Sequence, residues 1–207
     1  MNQSLELFPI GNCAASALID EAGRYVWACA PRVDGDPFFS ALLGGDPADE
    51  DAQGLWSVEV EDRAKTHQAY LRNTPILRTE IADDCGGRLE IIDFCPRYRQ
   101  FGRTYRPLAF VRLIRALEGT PRIRIKLRPT IDYGAAPAET TTGSNHIRYV
   151  GGETTLRLTT DGAVSHFQDE RTFRLEEPIA LFLGPDEGFD RDVTSTTLRM
   201  LRETTDY

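Results

Sequence analysis

From Pro121 to Ile131 apolar and basic residues alternate one by one, with Ile123, Ile125 and Leu127 set between Arg122, Arg124, Lys126 and Arg128. A repeat of two belongs to an extended strand, whereas a helix would repeat every 3.6 residues. One face of this strand must be buried, and the other carries four cations. The simplest arrangement is a sheet face crossed by acidic side chains from neighbouring strands. A docking face for an acidic partner domain is the alternative.

The preceding segment, Leu108–Leu117, reads as a second strand, and shorter ones recur on both sides. They are Leu55–Glu61, His67–Arg72, Ile76–Ala82, Arg88–Phe94, His146–Val150, Thr154–Thr160, Val164–Gln168, Thr172–Leu175 and Ile179–Leu183. Turn signals such as Gly86-Gly87, Gly151-Gly152 and Asp161-Gly162 separate them. Many short strands at such spacing predict an all-β chain, an antiparallel β-sandwich of the super-sandwich type. Ala135–Asn145, rich in Ala, Thr and Gly, reads as a loop. At Ile91-Ile92 the alternation slips and leaves Asp93 on the face of Leu89 and Ile91. A β-bulge would restore the pattern and is the favoured reading; an Asp held inward by an arginine is the other.

Two apolar segments near the start, Cys13–Ile19 and Tyr25–Ala30, flank Asp20-Glu21-Ala22-Gly23 and read as a β-hairpin. Its far end leads into Pro31-Arg32-Val33-Asp34-Gly35-Asp36-Pro37 and then an apolar run, Phe38–Leu43, expected to be a short helix. Two prolines exclude helix interior and central strand from this segment. Arg32, Asp34 and Asp36 are thus presented on a stiffened loop, with Trp27 a few residues upstream. Either they bind something, or an Arg32–Asp34 or Arg32–Asp36 ion pair ties the loop to itself.

After Asp190 the period changes. Val193, Thr197, Met200, Leu201 and Thr204 share one helical face, with Asp192 near the start and Arg199 and Arg202 later, as the helix dipole favours. A C-terminal helix from about Asp192 follows, and the chain divides into residues 1–190, a sandwich, and 191–207, the start of a helix leading to further chain. No Gly, Asn or Pro closes that helix before Tyr207, as if the sequence were cut from something longer.

The net charge of −8 argues against nucleic acid as a partner. Pro96–Pro107 interleaves Arg97, Arg99, Arg103 and Arg106 with Tyr98, Phe101 and Tyr105, and reads as a mobile loop or docking surface. The acidic stretch Asp46–Gly54 has no calcium-loop spacing and reads as a solvated loop. Four cysteines, Cys13, Cys29, Cys85 and Cys95, lack metal-site spacing and read as free thiols. A Cys13–Cys29 disulfide is disfavoured by the compartment inferred. No membrane span and no signal peptide are visible, so the expected location is cytoplasmic. Neither metal nor cofactor is expected.

Ile10-Gly11-Asn12, Ala17-Leu18-Ile19-Asp20, Gly23, Val26-Trp27, Pro31-Arg32 with Asp34, and Asp36-Pro37 with Phe39 resemble the opening of bacterial and archaeal glycoside hydrolase family 15 proteins. These glucoamylase- and trehalase-like enzymes begin with a trehalase-like N-terminal domain. Tyr70-Leu71-Arg72-Asn73-Thr74, Asp93-Phe94 with Pro96-Arg97, Leu127-Arg128-Pro129 with Asp132-Tyr133-Gly134, and Leu183-Gly184-Pro185 extend the resemblance along nearly the whole chain. It departs at Cys13-Ala14-Ala15 and in length. The resemblance implies a non-catalytic domain whose partner is a C-terminal catalytic domain of the same polypeptide. In the family two glutamates of a helical barrel are acid and base; neither maps onto this chain, so no catalytic residue is named. Trp27, Arg32, Asp34 and Asp36 become candidates for a substrate edge or domain interface, facing an α-glucoside or trehalose. A free-standing carbohydrate-binding module and an interaction domain without a sugar ligand are the alternatives.

Overall fold

In a computed structural model, which describes residues 6–188 and 192–207, the Arg122–Arg128 alternation is a strand in the first of two large antiparallel sheets, beside which β-strand pairs at 98–105 and 130–137 form two small ones. In chain order the strands begin with β1 (Leu7–Gly11), β2 (Ser16–Asp20), β3 (Tyr25–Cys29), β4 (Pro37–Phe39) and β5 (Leu55–Val60). Next come β6 (Arg63–Tyr70), β7 (Leu77–Asp83), β8 (Arg88–Phe94), β9 (Tyr98–Gln100), β10 (Arg103–Tyr105) and β11 (Phe110–Glu118). The rest are β12 (Arg122–Arg128), β13 (Thr130–Ile131), β14 (Ala136–Pro137), β15 (Glu139–Thr142), β16 (His146–Val150), β17 (Leu156–Thr160), β18 (Phe173–Arg174) and β19 (Ile179–Pro185). Two α-helices, α1 (Val164–Gln168) and α2 (Val193–Thr205), and a 3-10 turn at Ala41–Leu43 complete the described residues.

The first sheet runs β1-β2-β3-β5-β12-β18, with β4 added to β3; the second runs β15-β16-β17-β19-β11-β8-β7-β6. Their facing sides supply one core, including Ile19, Tyr25, Phe39, Trp56 and Ile125 from the first sheet and Leu89, Ile91, Phe110, Ile114 and Leu181 from the second. The outer side of the second sheet is covered too: Ile92, Phe94, Val111, Leu113 and Phe182 pack with Val193 and Met200 of α2. Asp192 caps that helix by accepting from the Ser195 amide at 2.5 Å, and Asp161 accepts from the amides of Val193 and Thr194. Helix α2 also buries Thr197 and Thr204, as the apolar face predicts. The division proposed between residues 190 and 191 lies outside the described residues.

Four local expectations need correction. First, β8 pairs with β7 and β11 without interruption from Leu89 to Asp93, so Ile91-Ile92 holds no bulge. The alternation fails there because β8 is buried on both faces: Ile91 points into the sandwich and Ile92 toward α2. Asp93 therefore points inward and meets Arg112. Second, Val164–Gln168 is a helix, since Val164 and Phe167, three residues apart, are its buried positions. Third, Ala135–Asn145 holds β14 and the sheet-edge strand β15, whose Thr140-Thr141-Thr142 run is exposed on both faces and shows no alternation. Fourth, the short helix expected near Phe38–Leu43 is present as a 3-10 helix but starts only at Ala41, because Phe38 and Phe39 extend β4 into the core.

Candidate functional site

The loops that follow β3, β13 and the Ala41–Leu43 turn meet at one end of the sandwich. Asp36 joins two of them: its Oδ2 accepts from the Asp132 amide at 2.8 Å and its Oδ1 from the Tyr133 amide at 2.7 Å. Those amides belong to a run of left-handed backbone, with φ of 52° at Asp132, 56° at Tyr133 and 89° at Gly134. Only glycine adopts such a conformation freely; elsewhere it costs on the order of 1–3 kcal/mol per residue and persists where the surroundings impose it. Here Asp36 holds them, and Ser40 leaves no room for a side chain at Gly134, since its Oγ would lie 2.8 Å from a Cβ added there. Ser40 is itself buried and fixed 2.7 Å from the Thr130 hydroxyl.

Arg32 and Asp34 stand outside this arrangement. Arg32 Nε and Nη2 donate to the two Asp34 carboxylate oxygens at 2.9 and 2.8 Å, and both side chains are exposed. The guanidinium holds the Asp34 carboxyl below its ordinary range, and the carboxylate raises Arg32 in return. Of the two ion pairs expected, the one with Asp34 forms; Asp36 is engaged with the turn. Trp27 is half-buried opposite Leu18 in β2. It neighbours Cys29, whose thiol burial pushes up, with Asp36 adding to the shift and Trp27 hydrogen bonding opposing it. The four candidates thus separate into an exposed pair, a turn-holding Asp and a tryptophan packed on the sheet.

Two clefts open beside Asp36. The smaller is lined by Asp36, Phe38, Ile131, Tyr149, Glu153 and Leu156 among others. The larger is an open cleft of ≈ 350 Å³ between Tyr133-Gly134 and the 40–53 segment, which brings Leu43, Asp46, Asp49 and Gln53. Tyr133 is 64% exposed at its edge. Tyr133 is not among the candidate site residues that the sequence offers; there it stands out only within Asp132-Tyr133-Gly134, one of the matches that carry the family resemblance. Among the described residues no group of three or more His, Cys, Asp or Glu could hold a metal. All four cysteines are free thiols, and no described helix is long and apolar enough to cross a membrane.

The acidic stretch is less solvated than its sequence implies. Glu50 reaches the β12 stripe, accepting from Arg124 Nη1 at 2.7 Å and from Lys126 Nζ at 2.9 Å, while Glu59 of β5 bridges the same two cations. Arg128 pairs with Glu170 and Arg122 with Glu61. The basic face is therefore neutralised from within the chain. The Pro96–Pro107 segment forms the β9–β10 ribbon, which docks on α2: the Arg97 amide donates to Thr204 Oγ1 at 2.9 Å and the Arg99 amide to Glu203 at 2.7 Å.

Comparison with known proteins places residues 5–177 on the family model described as "Trehalase-like, N-terminal". Trehalase 2 of Sulfolobus acidocaldarius is 29% identical over 135 residues, which cover 65% of this chain and 20% of the relative. The chain matches about a fifth of that relative's length.

Proposed function

We propose, on the premise that this chain belongs to the trehalase-like N-terminal family, that it is the non-catalytic β-sandwich domain of a glycoside hydrolase family 15 enzyme. The parent would be an exo-acting α-glucosidase of glucoamylase or trehalase type, and this domain would pack on its catalytic domain and shape it. The observation that carries the reading is the family match along residues 5–177, joined to a trehalase relative most of whose length lies beyond the matched part. Free thiols at Cys13, Cys29, Cys85 and Cys95 are consistent with a cytoplasmic parent.

Within this reading the Pro31–Pro37 loop faces the catalytic domain, and Arg32 and Asp34 contribute to the edge of its sugar site. Their side chains are exposed on a backbone already restrained by two prolines, which lowers the entropy lost on binding. A guanidinium fork can bond two sugar hydroxyls, and a carboxylate can accept from neighbouring ones. In the longer polypeptide that carries both domains, Arg32→Ala and Asp34→Ala lower kcat/KM for the α-glucoside while the melting temperature stays within about a degree, as expected when an exposed pair is removed. Unchanged kinetics would leave the pair as a tie within its own loop.

A further inference from the structure

We propose that the cleft between Tyr133 and the 40–53 segment is a carbohydrate subsite on this chain itself, with Tyr133 as the platform for a glucopyranosyl ring. The proposal rests on the preceding section only for the class of sugar; the geometry stands apart from it.

Tyr133 is the starting point. Its side chain is 64% exposed, so the left-handed backbone beneath it gains no burial of the ring in the core. The turn is nevertheless held by both carboxylate oxygens of Asp36, and Ser40 leaves no room for a side chain at Gly134. Such an arrangement holds an aromatic residue in one place in water, and a ring with two side-chain torsions loses little entropy on contact. Pyranose rings carry an apolar C–H face that packs on an aromatic ring, and a rim of hydroxyl donors.

The cleft supplies the complement to that rim. Asp49 and Asp51 offer carboxylate acceptors, as does Asp46 Oδ2 beside an Oδ1 that already accepts from the Ala48 amide; Gln53, whose Nε2 donates to the Asp51 carbonyl, offers its side-chain carbonyl, and Leu43 and Pro47 offer apolar surface. Its cavity volume of ≈ 350 Å³ lies at the lower end of the range of small-molecule pockets, roughly 300–1,000 Å³. Three carboxylates exclude a phosphorylated or otherwise anionic ligand. A basic peptide would satisfy the carboxylates but leave the tyrosine platform without a purpose; a neutral sugar uses both.

The test is titration of the 207-residue chain with maltose, maltotriose and trehalose, followed by calorimetry and by chemical shifts of the Tyr133 region. Saturable binding in the millimolar range is expected. Tyr133→Ala, on an exposed side chain that leaves the melting temperature unchanged, weakens binding by about tenfold or more, and Tyr133→Trp preserves it. Asp36→Asn, which keeps an acceptor for one of the two amides and sets an NH2 donor against the other, weakens binding less than Tyr133→Ala does. No saturation by any of the three sugars up to about 50 mM overturns the proposal, as does equal binding by wild type and Tyr133→Ala. Binding of an oligolysine peptide in place of the sugars overturns it as well. The readout is binding to this chain alone, so its failure is separable from that of the Arg32 and Asp34 kinetics, which require the catalytic domain.

Discussion

Arg112 and Asp93 sit side by side in the sandwich interior, each 0% exposed. The guanidinium donates from Nε to Asp93 Oδ1 at 2.8 Å, from Nη2 to Asp93 Oδ2 and the Gly23 carbonyl, and from Nη1 to the Trp56 carbonyl. It also lies 4.6 Å from the Tyr25 ring centroid and 5.1 Å from that of Trp56. Taking two ions out of water costs several kcal/mol each, and only such dense pairing offsets it. Burial pushes the Asp93 carboxyl up while Arg112 pulls it back down. Asp93→Asn leaves the cation without its counter-ion and is expected to cost about 3–5 kcal/mol, read from chemical denaturation. A loss under about 1 kcal/mol would mean that the pair is dispensable. The alternation along β8 favours a bulge at Ile91-Ile92, which the structure lacks, and offers an Asp held inward by an arginine only as the alternative. Which arginine was beyond it, because 19 residues separate the two and only adjacency of β8 and β11 joins them.

At the scale of elements, the β12 stripe shows how a face of four cations is tolerated. Glu59 arrives from β5, the neighbouring strand, as the alternation predicted, and Glu61 from the turn that follows it. Glu50 arrives from a loop that reads as solvated, and Arg124 and Lys126 hold its carboxyl down at about 2, against an ordinary 4.5. A depressed folded-state value means that the unfolded chain binds the proton first. The stability contributed by Glu50 is thus present above pH 4.5 and is lost as the pH falls toward 2. Glu50→Gln is expected to unfold with a shallower pH dependence in that window than wild type, with the two slopes converging near neutrality. Parallel slopes in acid denaturation would show Glu50 to be uninvolved. Helix α2 was legible from its own periodicity, whereas its seat on the second sheet was not. That seat requires Ile92, Val111 and Phe182, drawn from three strands that are distant in sequence.

For the molecule as a whole, the proposed role as a non-catalytic domain predicts that the chain on its own releases no glucose from maltose, starch or trehalose. Glucose release by purified protein, abolished by mutating one carboxylate within residues 1–207, would overturn this. The antiparallel all-β class was determined by the sequence itself, because a repeat of two residues is a local property that each strand carries alone. The C-terminal helix and the stiffened Pro31–Pro37 loop were determined in the same local way. Tertiary structure decided the rest. It sent Asp36 away from Arg32 to the amides of Asp132 and Tyr133, 96 and 97 residues on. It also turned Val164–Gln168 into a helix and raised Tyr133 beside the cleft. Each of these depends on which distant backbone comes within hydrogen-bonding or packing distance, and residue spacing along a chain holds no information about that until the sheets are stacked.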